Sequence, residues 1–112
     1  MSRVRGQLAE DRALRFLEQQ GLKLVLRNYA CRFGEIDLVM SEGEQLVFVE
    51  VRSRRYNSYG GAAASVGLAK QHKLWRTAEH YLLSIRRQPV CRFDLVAIDG
   101  PALSWLRDVI SR

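Results

Sequence analysis

Asp37 and Glu50 each interrupt an apolar run, Gly34-Glu35-Ile36-Asp37-Leu38-Val39 and Phe48-Val49-Glu50-Val51-Arg52. Burying an uncompensated carboxylate costs several kcal/mol, about the size of a small domain's whole stability margin. Two such groups brought together therefore need a cation, a shared proton, or a neighbouring arginine or lysine. A divalent metal ion with oxygen ligands would satisfy the geometry and the charge at once.

Whether the two acids meet depends on strand register. Gln45 to Arg54 reads as a strand with Val47, Val49 and Val51 on one face and Leu46, Phe48, Glu50 and Arg52 on the other. Apolar residues on both faces predict a central strand covered on both sides. Gly34 to Met40 reads as its neighbour, with Ile36, Leu38 and Met40 on one face and Glu35, Asp37 and Val39 on the other. If Gly43-Glu44 forms a two-residue type II′ hairpin loop, Asp37 falls opposite Glu50 and Glu35 opposite Arg52. A three-residue loop would send Asp37 and Glu50 to opposite faces. The competing reading leaves Glu50 and Arg52 on a half-exposed strand, with Glu35 and Arg52 as a cross-strand ion pair.

Glu10 is the third acidic candidate. Ala13, Leu14 and Leu17 follow it at helical spacing, so it borders an apolar stripe. The alternative is a solvated acid near a helix start. Arg52-Ser53-Arg54-Arg55-Tyr56, with Tyr59 and Gly60-Gly61 beyond, mixes cations and aromatics suited to phosphate contacts and stacking. Lys70, Lys73 and Arg76 form a basic stripe that is either a phosphate track or a solvated face. Trp75 and Tyr81 read as core, and His72 and His80 as surface or packing residues. Cys31 and Cys91 show no CxxC spacing and read as reduced thiols.

The elements that must position these groups follow from periodicity and breakers. A helix is predicted over Gly6 to Gln20, with Leu8, Ala9, Ala13, Phe16 and Leu17 at helical spacing and Gly21 as its stop. Strands follow over Leu22 to Tyr29, Gly34 to Met40 and Gln45 to Arg54, and Arg55 to Ser65 reads as a loop. A second helix runs from Val66 or Gly67 to Ser84, a strand from Val90 to Ile98, and a short edge strand from Ala102 to Leu106. The order α-β-β-β-α-β predicts an α/β fold with a mixed sheet flanked by helices, and the 112 residues suit one domain. No apolar run approaches the roughly 18 residues of a membrane span. No secretory signal is visible, so the cytoplasm is expected. The net charge of +6 favours a polyanionic partner.

The spaced acids Glu10, Asp37 and Glu50-Val51-Arg52 resemble the PD-(D/E)xK nuclease superfamily. Five segments in order look like the motifs of the YraN family, whose members are endonuclease-like and related to archaeal Holliday-junction resolvases. These are Gly34 to Val39, Phe48 to Arg52, Gly60-Gly61-Ala62-Ala63-Ala64-Ser65-Val66, Lys70-Gln71-His72-Lys73-Leu74 and Arg92-Phe93-Asp94-Leu95-Val96. The resemblance spans Gly6 to Leu106 and implies a restriction-endonuclease-like fold. It implies catalytic roles for Glu10, Asp37, Glu50 and Arg52, and metal ligation by Asp37, Glu50 and the Val51 carbonyl, with Mg²⁺ or Mn²⁺ as the ion. Arg54, Arg55, Tyr59, Lys70 and Lys73 would then contact nucleic acid. The implied chemistry is metal-assisted phosphodiester hydrolysis in DNA, structured or branched, by a homodimer. Arg52 departs from the superfamily's usual lysine. An arginine steadies phosphate charge but is a poor base, so Lys70 or Lys73 could supply a displaced lysine. Two other readings stay open: a non-catalytic nucleic-acid-binding module of the same fold, and an assembly subunit whose basic face meets an acidic protein. Asp94 could position either the sheet or the site.

Overall fold

The computed structural model describes residues 3–54 and 66–112, with side chains over 6–53 and 66–112. Its order is α1 (Arg3–Gln19), β1 (Lys23–Cys31), β2 (Gly34–Glu42), β3 (Gln45–Arg54), α2 (Leu68–Leu82), β4 (Cys91–Asp99) and β5 (Ala102–Leu106). The five strands form one mixed sheet in chain order, antiparallel except for the β3–β4 pair that α2 connects. This is the expected α-β-β-β-α-β core, and the segment from Ala102 forms a true fifth strand.

Each helix seals one face of the sheet. Ala13 and Leu17 of α1 pack with Leu38, Met40, Val47, Val49, Val96 and Ile98. Leu74, Trp75, Ala78 and Tyr81 of α2 pack with Val39, Leu46, Phe48 and Phe93. The indole of Trp75 also donates to the Ile110 carbonyl at 2.7 Å, which ties the C-terminal segment to α2. β3 thus has apolar side chains on both faces because both are covered. Leu8 is an exception to the predicted apolar stripe. It lies one helical step off the Ala9-Ala13-Leu17 line and is exposed.

The β2–β3 hairpin has the two-residue loop. Gly43 takes φ 61°, while Glu44 stays out of the left-handed region, as a type II′ turn requires. The resulting register pairs Glu42 with Gln45 and Leu38 with Val49, where the paired run ends.

Strict alternation fails next to that end, and this corrects the predicted β2 faces. Ile36 packs under α2 with Val39, not with Leu38 and Met40. Its β1 partner Tyr29 and Val39's partner Leu26 pack against the same cluster. Both strands therefore switch faces together between the Leu26–Val39 and Tyr29–Ile36 pairs. The switch is centred on Asn28, which has φ 55° inside a strand and falls opposite Asp37. Asparagine tolerates this conformation better than most side chains.

Candidate active site at the parting of β2 and β3

Asp37 sits where β2 leaves β3. Its Oδ2 accepts a hydrogen bond from the backbone N–H of Val51 at 2.7 Å, taking a donor that a continued ladder would have used. Glu50 lies one residue before Val51, with its side chain on the α2 side of the sheet and 4% of the residue exposed. The two carboxylates come close enough to share a proton. Burial, and then the neighbouring Glu50, push the Asp37 carboxyl up to about 8. Burial also raises that of Glu50, against the lowering effects of its hydrogen bond to Asp37 and of the nearby Arg52 and Lys70 cations.

Those cations are the local compensation. Nη2 of Arg52 stands 3.1 Å and Nζ of Lys70 3.9 Å from Oε2 of Glu50. Arg52 thus turns to its own strand's acid, and the alternative pair with Glu35 is not formed. Lys70 reaches over from the first turn of α2. Lys73 lies one turn further along and lines a neighbouring cavity instead.

Glu10 approaches from α1, on the opposite face of the sheet from α2. It sits in the middle of its helix, and its side chain is 15% exposed, so it is not a solvated acid at a helix start. Arg27 lies 3.5 Å from Oε1 of Glu10 and 2.8 Å from Asp11. The Asn28 amide, oriented with its nitrogen toward Glu10, donates at 3.0 and 3.3 Å. Burial first, and Asp37 second, raise the Glu10 carboxyl. Arg27 and Asn28 are positioning residues that sequence reasoning missed. The available signal was a polar Arg-Asn pair inside an apolar strand.

Glu10, Asp37, Glu50, Val51, Arg52 and Lys70 line one pocket of about 220 Å³. Among the described residues, no three of the His, Cys, Asp and Glu side chains converge as a ready-made metal cage. Glu10 is held by Arg27 and Asn28, and Glu50 by Arg52. Mg²⁺ commonly binds through one or two carboxylates and keeps several waters. Asp37, Glu50 and the Val51 carbonyl, which points to the same edge of β3 as its N–H, are a hard-oxygen donor set of that kind. The donor chemistry fits Mg²⁺ or Mn²⁺, and such an ion would take the place of the shared proton.

The remaining expected residues fall elsewhere. The Arg54 side chain, Arg55 and Tyr59 lie outside the described residues. Asp94 is fully buried and positions the sheet: it accepts from Arg92, the Trp105 indole and the Asp108 N–H. Arg92 continues to Glu42 and Gln45 beside the hairpin loop, away from the pocket. Trp75 and Tyr81 are core residues. His80 is exposed and meets the Tyr29 hydroxyl at 2.5 Å. Both cysteines are free and half-buried. No helix among the described residues is long and apolar enough to cross a membrane.

Together these features define a mixed α/β protein that gathers acids from a helix and two central strands at the point where those strands part. The chain belongs to the uncharacterised protein family UPF0102, whose model matches residues 9–98 and so includes Glu10, Asp37, Glu50, Arg52 and Lys70. It is 51% identical over 105 residues to a UPF0102 protein of Janthinobacterium sp. (strain Marseille), covering 94% of this chain and 85% of that one. A UPF0102 protein of Cupriavidus metallidurans is 55% identical over 104 residues, covering 92% and 78%. One from Psychromonas ingrahamii is 47% identical over 109 residues, covering 96% and 89%.

Proposed function

We propose that this protein is a divalent-metal-dependent endonuclease that hydrolyses phosphodiester bonds in DNA, structured or branched. The observation that carries the reading is the convergence of Asp37 and Glu50 beside the Val51 edge of β3. An acid pair so placed serves no evident packing purpose. Mg²⁺ or Mn²⁺, when bound there, supplies Lewis-acid polarisation of the phosphate and a more acidic water.

The chain's own residues supply the rest. Asp37 and Glu50 hold the ion, and the Val51 N–H fixes the Asp37 carboxylate. Nε of Arg52 is buried without a hydrogen-bond partner among the described residues, which costs about 1–3 kcal/mol if left so. A phosphate entering the pocket would meet the part-exposed Arg52 guanidinium and gain its charge. Lys70, at the pocket wall, would orient the attacking water in place of the lysine that Arg52 replaces. Glu10 stands across from it as a further acceptor.

The second reading is a nucleic-acid-binding module without hydrolysis, favoured by the Arg52–Glu50 ion pair, which already neutralises one acid. The test is a panel of junction, flap and duplex DNAs incubated with Mn²⁺ or Mg²⁺. The endonuclease reading expects strand scission that Asp37→Ala and Glu50→Ala abolish while DNA binding survives, together with Mn²⁺ binding detected by paramagnetic resonance. Metal-indifferent binding with no scission of any substrate would leave the second reading.

A further inference from the structure

We propose that the β1–β2 turn and α2 form a second subsite beside the carboxylate pocket, one that takes an unpaired nucleotide of the strand to be cut. The inference rests on the nuclease reading of that pocket and adds a substrate requirement to it.

The turn carries Arg32 and Phe33. Around the half-buried Phe33 ring lie two guanidiniums, with Cζ of Arg32 at 4.8 Å and Cζ of Arg76 at 4.4 Å from its centre. His80 backs the same ring edge-on at 6.0 Å and is itself held by the Tyr29 hydroxyl. Next to Phe33 opens a cavity of about 220 Å³, walled also by Gly34, Glu35, Lys70, Lys73 and Thr77. Glu35 and Lys70 belong to both this cavity and the carboxylate pocket, so the two are contiguous.

Of the cations here Lys70 meets Glu50, and the Glu35 carboxylate lines the same cavity, but the outer three stand without an ion pair among the described residues. Among the described residues, no carboxylate lies within ion-pair distance of Arg32, Lys73 or Arg76, all exposed. Elsewhere Arg27, Arg92, Arg107 and Arg112 each meet one, while Arg12, Arg15, Arg86 and Arg87 form no ion pair among the described residues, so it is the gathering of unpaired cations around one ring that sets this surface apart. Two guanidiniums gathered on one ring, with Lys73 beside them, repel each other, and an anion relieves that repulsion. The first turn of α2 contains no acidic residue to weaken the field.

Unneutralised cations alone would suit any phosphate. The aromatic ring among them adds selectivity. Phe33 and its guanidiniums present flat π surface, and a base can take the place of one guanidinium over the ring, freeing it for the flanking phosphate. A base in an intact duplex keeps its faces covered by its neighbours, so an unpaired or flipped nucleotide fits and a regular duplex does not.

The test measures binding with the metal chelated, so that cleavage plays no part. Fluorescein-labelled oligothymidylate and a blunt duplex of equal length are titrated by fluorescence anisotropy at several salt concentrations. Phe33→Leu should weaken oligothymidylate binding by about 5- to 150-fold, the range for loss of one base stack. The duplex should change by less than about twofold, and Phe33→Trp should restore the preference. Arg32→Ala, Lys73→Ala and Arg76→Ala should each lower the salt slope by about 0.7 on the single strand. These exposed substitutions decide the matter if Phe33→Leu unfolds the protein. Equal losses on both ligands, no loss on either, or displacement of oligothymidylate by polyglutamate at matched charge would overturn the subsite. Discrimination without metal-dependent scission keeps the subsite and removes the nuclease. Scission without discrimination removes the subsite alone.

Discussion

The Val51 backbone N–H donates to Oδ2 of Asp37 at 2.7 Å, so a side chain replaces a backbone acceptor where the β2–β3 ladder stops. Had the ladder run on, Ile36 would have faced Val51. Ile36 instead packs beneath α2. One bond therefore ends the pairing of two central strands and holds an acid beside Glu50, so the fold and the site share a strut.

That arrangement sets the pH dependence of stability. The Asp37 carboxyl moves from an ordinary 3.8 to about 8, chiefly through burial and then through Glu50. Between those values the folded chain holds a proton that the unfolded chain has released. Stability is thus fully present below about pH 4 and is lost as pH rises toward about 8, by up to about 1.4 kcal/mol per pH unit for one proton. Thermal melts across this window should show a falling midpoint for wild type and a flatter profile for Asp37→Asn. Added Mn²⁺ should recover the loss at the alkaline end. Parallel profiles for the two proteins would refute this account of Asp37.

Lys70 and Lys73 should separate kinetically. Lys70 stands 3.9 Å from Glu50 in the acid pocket, whereas Lys73 lines the neighbouring cavity. Lys70→Ala is expected to slow single-turnover cleavage by about 10²- to 10⁴-fold with little change in affinity. Lys73→Ala should weaken binding and lower its salt slope while leaving the saturated rate intact. The reverse pattern would move the displaced lysine one turn along α2.

Much of the site was legible because register follows from a few residues. Gly43 set the hairpin loop, the loop set the pairing, and the pairing brought Asp37 to Glu50. Periodicity also identified both helices and the covered central strand. What periodicity could not show was a change of backbone twist at a single residue. Asn28 at φ 55° turns the Tyr29–Ile36 pair toward α2, so the face assigned to Ile36 came out wrong. Glu10's restraint by Arg27 and Asn28 was hidden for the same reason, since it depends on where that twist aims β1. Arg52 had two acids within reach, and strand pattern alone could not choose Glu50 over Glu35. The role of Asp94 required knowing where Trp105 and Asp108 return to the sheet.

Asn28 should accordingly show two separable functions. Alanine there would have to adopt a left-handed conformation, at about 1–2 kcal/mol, and would also lose the amide that faces Glu10. Glycine loses the amide but tolerates the backbone. Urea midpoints should fall for Asn28→Ala and largely recover in Asn28→Gly, whereas cleavage should be impaired in both. Full activity in Asn28→Gly would show that Glu10 needs no such restraint.

Asp94 should behave as a structural acid, although it lies within the stretch that the family model matches. It is completely buried, with Nε of Arg92 at 2.9 Å, the Trp105 indole at 2.9 Å and the Asp108 N–H at 2.8 Å. Asp94→Ala strands three donors and leaves Arg92 with only Glu42 and Gln45 among the described residues. Breaking a buried pair in this way costs about 3–5 kcal/mol. Asp94→Asn keeps the shape and some acceptor capacity and should cost less. The indole bonded to Asp94 makes tryptophan emission a direct reporter, so its shift should accompany the loss of stability. Because this cluster lies toward the hairpin loop and not at the parted strands, metal and DNA affinities measured on the folded fraction should match wild type. A selective loss of either, at unchanged stability, would place Asp94 in the chemistry after all.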